Sequence, residues 1–195
     1  NYQLVEILSG SLLEEDFEDG NADGWSHSGF NATKGDWQVV SGEFRQGDNA
    51  PRTWFYWDDS AALTWSDYTV TLDARATDND QMGVLFCFQD DDNHYRLELN
   101  QNNTNTDLSD DPVTLYRVVN GNPQEVASAI YGYNQDVDLT ISISTSSTGE
   151  IDVSIDDGSG AVNVFGGTVT DSTFTTGSVG LYAEWQRSVY YDDIT

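Results

Sequence analysis

An antiparallel β-sandwich or barrel is the fold class this sequence predicts, and three observations point to it. No segment sustains the ~3.6-residue periodicity of an amphipathic helix, short apolar–polar alternations recur along the chain, and Gly- and Asp-rich turns separate them. The 195 residues suit one domain with a substantial core. We assign residues 14–195 to that single domain and residues 1–13 to a linker or an edge strand.

Taken in order, Leu4-Val5-Glu6-Ile7-Leu8 is a short apolar run that precedes Ser9-Gly10-Ser11. Trp37-Gln38-Val39-Val40 and Glu43-Phe44-Arg45-Gln46 flank Ser41-Gly42 and read as a hairpin. The cluster Trp54-Phe55-Tyr56-Trp57 follows and closes on the loop signal Asp58-Asp59-Ser60. Residues 68–76 alternate, and Thr77-Asp78-Asn79-Asp80 turns them into residues 82–88, nearly all apolar as befits a central strand. In residues 94–99, Tyr95, Leu97 and Leu99 share one face, expected in the core; His94, Arg96 and Glu98 share the other, expected to be accessible. Residues 100–111 are polar and aperiodic and are expected to form a mobile surface loop. Residues 113–119 run into the turn Asn120-Gly121-Asn122-Pro123, and residues 137–143 and 150–155 pair across Ser147-Thr148-Gly149. Two glycine-bounded segments then frame a short strand, residues 177–185 form another, and Tyr190-Tyr191-Asp192-Asp193-Ile194 closes the chain. We find no internal repeat.

With 34 acidic and 7 basic residues, the formal charge is −27, which repels nucleic-acid phosphates and anionic lipid headgroups; neither nucleic acid nor membrane is an expected partner. Aromatics make up 12% of the chain, so the acidity decorates a folded surface and does not signal disorder. Such a surface suits a salty medium, where screening relieves the self-repulsion, and this points to a marine or halophilic source. Cys87 is the single cysteine, which forbids an internal disulfide; its apolar neighbours mark it as a small buried side chain. No apolar stretch reaches membrane-spanning length and no signal peptide is present, so a chain starting at Asn1 is expected to be a mature secreted form or a piece of something longer. Asn31-Ala32-Thr33 and Asn102-Asn103-Thr104 fit the glycosylation pattern, which matters only in a eukaryotic secretory setting.

The two ends of the chain set carboxylates beside anchoring apolar residues, in Glu14-Glu15-Asp16-Phe17-Glu18-Asp19-Gly20 and again in the closing strand. Neighbouring terminal strands would gather those oxygens, and Ca²⁺ is the usual partner of all-oxygen sites.

The motifs Asp16-Phe17-Glu18-Asp19-Gly20, Gly24-Trp25, Trp37-Gln38-Val39 with Gly42-Glu43, Met82-Gly83-Val84-Leu85-Phe86, Asn93-His94-Tyr95-Arg96-Leu97-Glu98, Arg117-Val118-Val119-Asn120-Gly121, Gly177-Ser178-Val179-Gly180-Leu181-Tyr182 and Tyr191-Asp192-Asp193-Ile194 occur in that order. Together they resemble the laminin-G-like jelly rolls of the concanavalin A-like lectin and glucanase superfamily, over residues 14–195. The resemblance implies an all-β, two-sheet antiparallel jelly-roll sandwich with one concave sheet and a structural calcium tying the terminal strands. It also implies a lectin-like, carbohydrate-binding module of bacterial type, linked covalently to neighbouring domains of a secreted or cell-surface protein.

On that basis the calcium ligands are Asp16, Glu18, Asp192 and Asp193, with backbone carbonyls near Gly42 and Glu43 helping to reach the about six to eight oxygens required. A poly- or oligosaccharide would stack its C–H faces on Trp54, Tyr56, Trp57, Tyr182 or Trp185, and Arg96, Glu98, Glu184 and Arg187 would fix its hydroxyls. Trp54 and Trp57 lie an odd number of positions apart, so a regular strand sends them to opposite faces. Glu150-Ile151-Asp152-Val153-Ser154-Ile155-Asp156 looks like the catalytic strand of the superfamily's glucanases, but Ser154 and Ile155 stand where the second glutamate belongs. We therefore read the chain as a non-catalytic binding module. The alternatives are an adhesive spacer without a sugar ligand and, behind it, a glycoside-active enzyme.

Overall fold

The computed structural model describes residues 10–29, 34–101 and 112–195. The apolar run at residues 4–8, both glycosylation patterns and nearly all of the loop expected at residues 100–111 lie outside the described residues.

The strands form two antiparallel sheets. One has seven strands in the order β1 (Trp25–Gly29), β4 (Thr53–Trp57), β14 (Ser178–Glu184), β6 (Gln81–Asp90), β7 (Asn93–Leu99), β8 (Pro112–Val119) and β9 (Asn122–Ile130). The other runs β12 (Val162–Asn163), β11 (Glu150–Asp156), β10 (Leu139–Thr145), β5 (Thr69–Ala76), β15 (Val189–Asp192), β3 (Glu43–Gln46) and β2 (Trp37–Val40), with β13 (Val169–Thr170) paired to β11. The expected sandwich is therefore present. No helix among the described residues is long and apolar enough to cross a membrane.

Local chemistry explains the hairpins. Ser41 and Gly42 both adopt positive φ (59° and 87°), as do Asn120 and Gly121 (50° and 74°), the conformation in which a two-residue turn follows the natural twist of its strands. Asn122 and Pro123, expected in a turn, instead begin β9. That strand was not legible because residues 122–130 barely alternate, and proline is tolerated there because β9 lies at a sheet edge.

Alternation does the rest. Leu72, Val84, Leu97, Ile141, Val153 and Leu181 are buried between the sheets, and Phe17, Phe44 and Phe55 fill one end of that core. The terminal segments are neighbours: Glu15 and Ile194 exchange backbone hydrogen bonds of 2.9 and 2.8 Å, and Phe17 stacks on Phe44 with ring centroids 4.9 Å apart.

One side chain ties the sheets together directly. Tyr191 of β15 is fully buried; its one hydroxyl proton is shared between the carbonyls of Tyr182 (2.7 Å) and Gly83 (3.1 Å), and its oxygen accepts from the Gly83 N–H (3.1 Å). Burial pushes this phenol far above the usual tyrosine range, so it stays protonated and able to donate. Tyr191→Phe would strip buried backbone groups of β6 and β14 of that partner. We expect it to lower unfolding free energy by about 1–3 kcal/mol in denaturant titration; an unchanged midpoint would show that the hydroxyl ties nothing.

Candidate functional site

The outer face of the seven-stranded sheet, away from the core, carries the side chains that alternation turns outward. Strand register sets Tyr56, Gly180, Leu85, Arg96 and Tyr116 in one row across it, and Trp54, Tyr182, Gly83, Glu98 and Thr114 in the next. Gly83 is required there: a Cβ would lie 2.0 Å from the Leu97 carbonyl oxygen, so only glycine lets β6 and β7 approach this closely.

This face was expected to be open on β7, and it is not. His94 is 2% exposed, and Arg96 and Glu98 are 6% exposed each. The reason is mutual covering by large neighbours. The Arg96 guanidinium lies 4.6 Å from the Tyr182 ring centroid and 5.2 Å from that of Tyr116, held between the two rings. Its Nε sits 3.0 Å from Oε2 of Glu98, an ion pair in which neither atom is aligned for a hydrogen bond. Burial pushes the Glu98 carboxyl up; Arg96 opposes the rise and Glu184 adds to it. Glu184 in turn accepts from the Tyr182 hydroxyl at 2.6 Å and faces Arg52 Nε at 3.2 Å. Two arginine–glutamate pairs and two tyrosines thus form one connected polar group.

Trp185 stands at the end of that group. It is 47% exposed and adopts φ 55°, a left-handed conformation unusual for a bulky residue, and its backbone N–H donates to the Ala50 carbonyl. Arg187 is exposed in the same β14–β15 loop, where its backbone N–H donates to the Asp78 carboxylate. Beside Tyr182 in the register, Trp54 is buried and its indole N–H donates to Asp91 Oδ1 at 2.8 Å. Tyr56 stacks on Phe88 with centroids 4.6 Å apart. Trp57 points to the other face of β4, edge-on to Trp25, as the odd spacing requires. Tyr56, Trp57 and Phe88 line a cleft of about 800 Å³ whose rim carries Asp58, Asp59, Asp90, Asp91 and Asp92.

Sequence reasoning passed over Arg52 and Tyr116. Arg52 had a usable signal, since it shares two-residue spacing with Trp54 and Tyr56 and the chain has only 7 basic residues. The partnership of Tyr116 with Arg96 depends on the pairing of β7 with β8, which no local pattern states.

The proposed calcium ligands are drawn together in part. The Asp16 carboxylate accepts from the Glu18 N–H, Glu18 lies against Gly42, and burial followed by Asp193, Glu43 and Glu18 pushes the Asp192 carboxyl up. Among the described residues, no three His, Cys, Asp or Glu side chains are arranged to hold a metal ion. Glu150 and Asp152 sit on β11 of the other sheet, bonded to Ser146, Thr148 and Thr168, far in topology from the polar group.

No protein-family model matches the sequence, and no curated protein does. Solved structures do resemble it. A carbohydrate-binding module, CBM66 from Bacillus subtilis, aligns with TM-score 0.68 at 16% identity over 88% of this chain and 94% of its own. The exoplasmic/lumenal domain of VIP36 in its Ca²⁺/Man-bound form aligns at 0.60 and 14% identity over 87% and 83%. The potassium-bound carbohydrate recognition domain of Emp46p aligns at 0.54 and 10% over 88% and 86%. At these identities the likeness is one of fold, and the fold is the concanavalin A-like jelly roll.

His94 provides a test of how tightly the outer face is closed. Its ring stacks on Phe88 and leans on Trp54, and burial lowers its pKa to about 4. The unfolded chain then takes up that proton first, so stability falls as pH drops from about 6.5 toward about 4, by about 3 kcal/mol. Denaturant titrations at pH 7 and 4.5 should show a smaller loss for His94→Gln than for the native protein; equal losses would mean that His94 is solvated.

Proposed function

We propose that this chain is a non-catalytic carbohydrate-binding module whose ligand lies on the outer face of the seven-stranded sheet. The observation that carries the reading is an exposed tryptophan, Trp185, held in a rare backbone conformation directly after Glu184 of the arginine–glutamate–tyrosine group. An indole offers a flat apolar surface to the C–H face of a sugar ring, and planar charged groups beside it bind hydroxyls directionally. Binding of this kind moves no proton and breaks no bond. The residues that would do it are Trp185, Arg52 and Glu184, with the buried Arg96–Glu98 pair and Tyr182 packed behind them. The fold it shares with a carbohydrate-binding module and with lectin domains supports the same reading. A larger secreted or surface protein is the setting we infer, in keeping with a strongly acidic surface.

Calcium belongs to this proposal as a stabiliser of the terminal clasp. Its donor chemistry is of the right kind: Glu18, Glu43, Asp192 and Asp193 are oxygen donors, and burial followed by the charges of the other three pushes the Asp192 carboxyl up, while Arg75 pairs with Glu43 and Asp138. Glu18 and Asp192 would hold the ion, with backbone carbonyls near Gly42 completing the shell. The ion would supply neutralisation of that charge.

Two measurements test these statements. On a glycan array, Trp185→Ala and Arg52→Ala are each expected to weaken binding by about tenfold, near 1.4 kcal/mol; a native protein that binds no glycan would make it an adhesive spacer. In thermal melts a chelator is expected to lower the midpoint by several degrees. With chelator present, Asp192→Asn is expected to raise it, because a carboxylate whose folded pKa is elevated costs stability above that pKa and ceases to do so as pH falls through it. A midpoint indifferent to chelator would remove calcium from the account.

A further inference from the structure

We propose that the aromatic-lined cleft at the Ser178 end of β14 is a second binding site, one for a protonated amino sugar. It stands apart from the reading at Trp185: Ser178 begins β14 and lines the cleft, whereas Trp185 follows the last residue of that strand, ~23 Å farther along an extended chain.

The cleft is open where the neighbouring face of β7 is closed. Tyr56 and Trp57 are half-buried, Leu63 beside them is 39% exposed, and the rim aspartates at positions 58, 59 and 90–92 are all exposed. Its volume of about 800 Å³ is that of a pocket able to enclose a drug-sized ligand.

The carboxylates of the rim are fixed by neutral donors. The Ser26 hydroxyl donates to Asp58, the Ser28 hydroxyl and the Trp54 indole to Asp91, the Ala61 N–H to Asp59, and the Asn93 amide to Asp90. Such bonds hold the charges in position without cancelling them. The ion-paired arginines face Glu184, Glu43, Asp138, Glu98 and Asp171, none of which lines the cleft. His94, stacked on Phe88, is neutral at pH 7 because burial lowers its pKa to about 4. Burial, then Asp58 and Asp91, push the Tyr56 phenol up, so the negative field of the rim reaches the ring. The face of an aromatic ring is itself negative, and an ammonium group is attracted by rim and ring together.

Among the described residues, no three carboxylates are arranged to hold a metal ion, which a hard cation requires. An ammonium group needs no such shell, since its N–H donors can be shared among spaced carboxylates. Tyr56, Trp57 and Leu63 add apolar surface for the C–H face of a sugar. A rigid ring loses less rotamer freedom there than a flexible polyamine, which favours the amino sugar.

Isothermal titration near pH 6 compares a glucosamine trisaccharide, its N-acetylated counterpart and spermidine, which matches the trisaccharide in charge. The native protein is expected to bind the glucosamine trisaccharide about tenfold more tightly than either of the others. A protein of charge −27 attracts any polycation, so two double variants of equal net charge separate the cleft from the rest of the surface. With folding of both confirmed by thermal midpoint, Asp58→Asn with Asp91→Asn is expected to weaken binding about tenfold, and Asp136→Asn with Asp157→Asn, outside the cleft, by less than about twofold. Equal effects in the two would reduce the binding to diffuse attraction and overturn the site. Tighter binding of spermidine would overturn the sugar, and a tenfold loss through Trp185→Ala would overturn the cleft. Neutral glycans bound on the array with no glucosamine trisaccharide bound would overturn this inference and leave the reading at Trp185 standing.

Discussion

A single buried hydroxyl, that of Tyr191, connects the closing strand of one sheet to the middle of the other. It reaches the backbone of Gly83 and Tyr182, directly beneath the positions that carry Glu98 and the Tyr182 ring on the outer face. A sandwich core of aliphatic and aromatic side chains resists separation but is weakly directional. Hydrogen bonds from Tyr191 add direction, setting where β6 and β14 sit relative to β15. Gly83 makes this possible twice over, since it lets β6 approach β7 and presents its N–H and carbonyl to the phenol.

The polar group above that tie is a poor investment for stability alone. Removing Arg96 and Glu98 from water costs several kcal/mol per ion, and their 3.0 Å pairing recovers only part of it. Stacking of Arg96 between Tyr182 and Tyr116 offsets a further part. A face that kept only its aromatics would fold more cheaply. The proposed glycan reading gives the partly exposed Arg52–Glu184 pair, and Trp185 with its left-handed backbone directly after Glu184, a use in recognition.

The terminal clasp works by a different balance. Phe17 and Ile194 are buried anchors, and the backbone bridge between Glu15 and Ile194 joins the ends of the chain. Burial first, and then the charges of Asp193, Glu43 and Glu18, push the Asp192 carboxyl up. Sequence reasoning found the neighbourhood because each acidic residue sits beside an apolar one. It did not find how few of the carboxylates converge, because the Asp16 side chain turns back onto its own backbone at Glu18.

Two-residue alternation, turn chemistry and the lack of helical periodicity are properties of short stretches. They were enough to determine an all-β sandwich, the β2–β3 and β10–β11 hairpins, the central place of β6, and the opposite facing of Trp54 and Trp57. Burial on the outer face is a property of several strands at once. Alternation states that His94, Arg96 and Glu98 share a side, but whether that side is open depends on what β8 and β14 set beside it, and only the register of Arg96 against Tyr116 and of Gly83 against Tyr182 decided that. The same holds for Arg52, which reaches Glu184 across 132 positions of sequence. A single strand can say which way a side chain points; only the assembled sheet decides what it meets there.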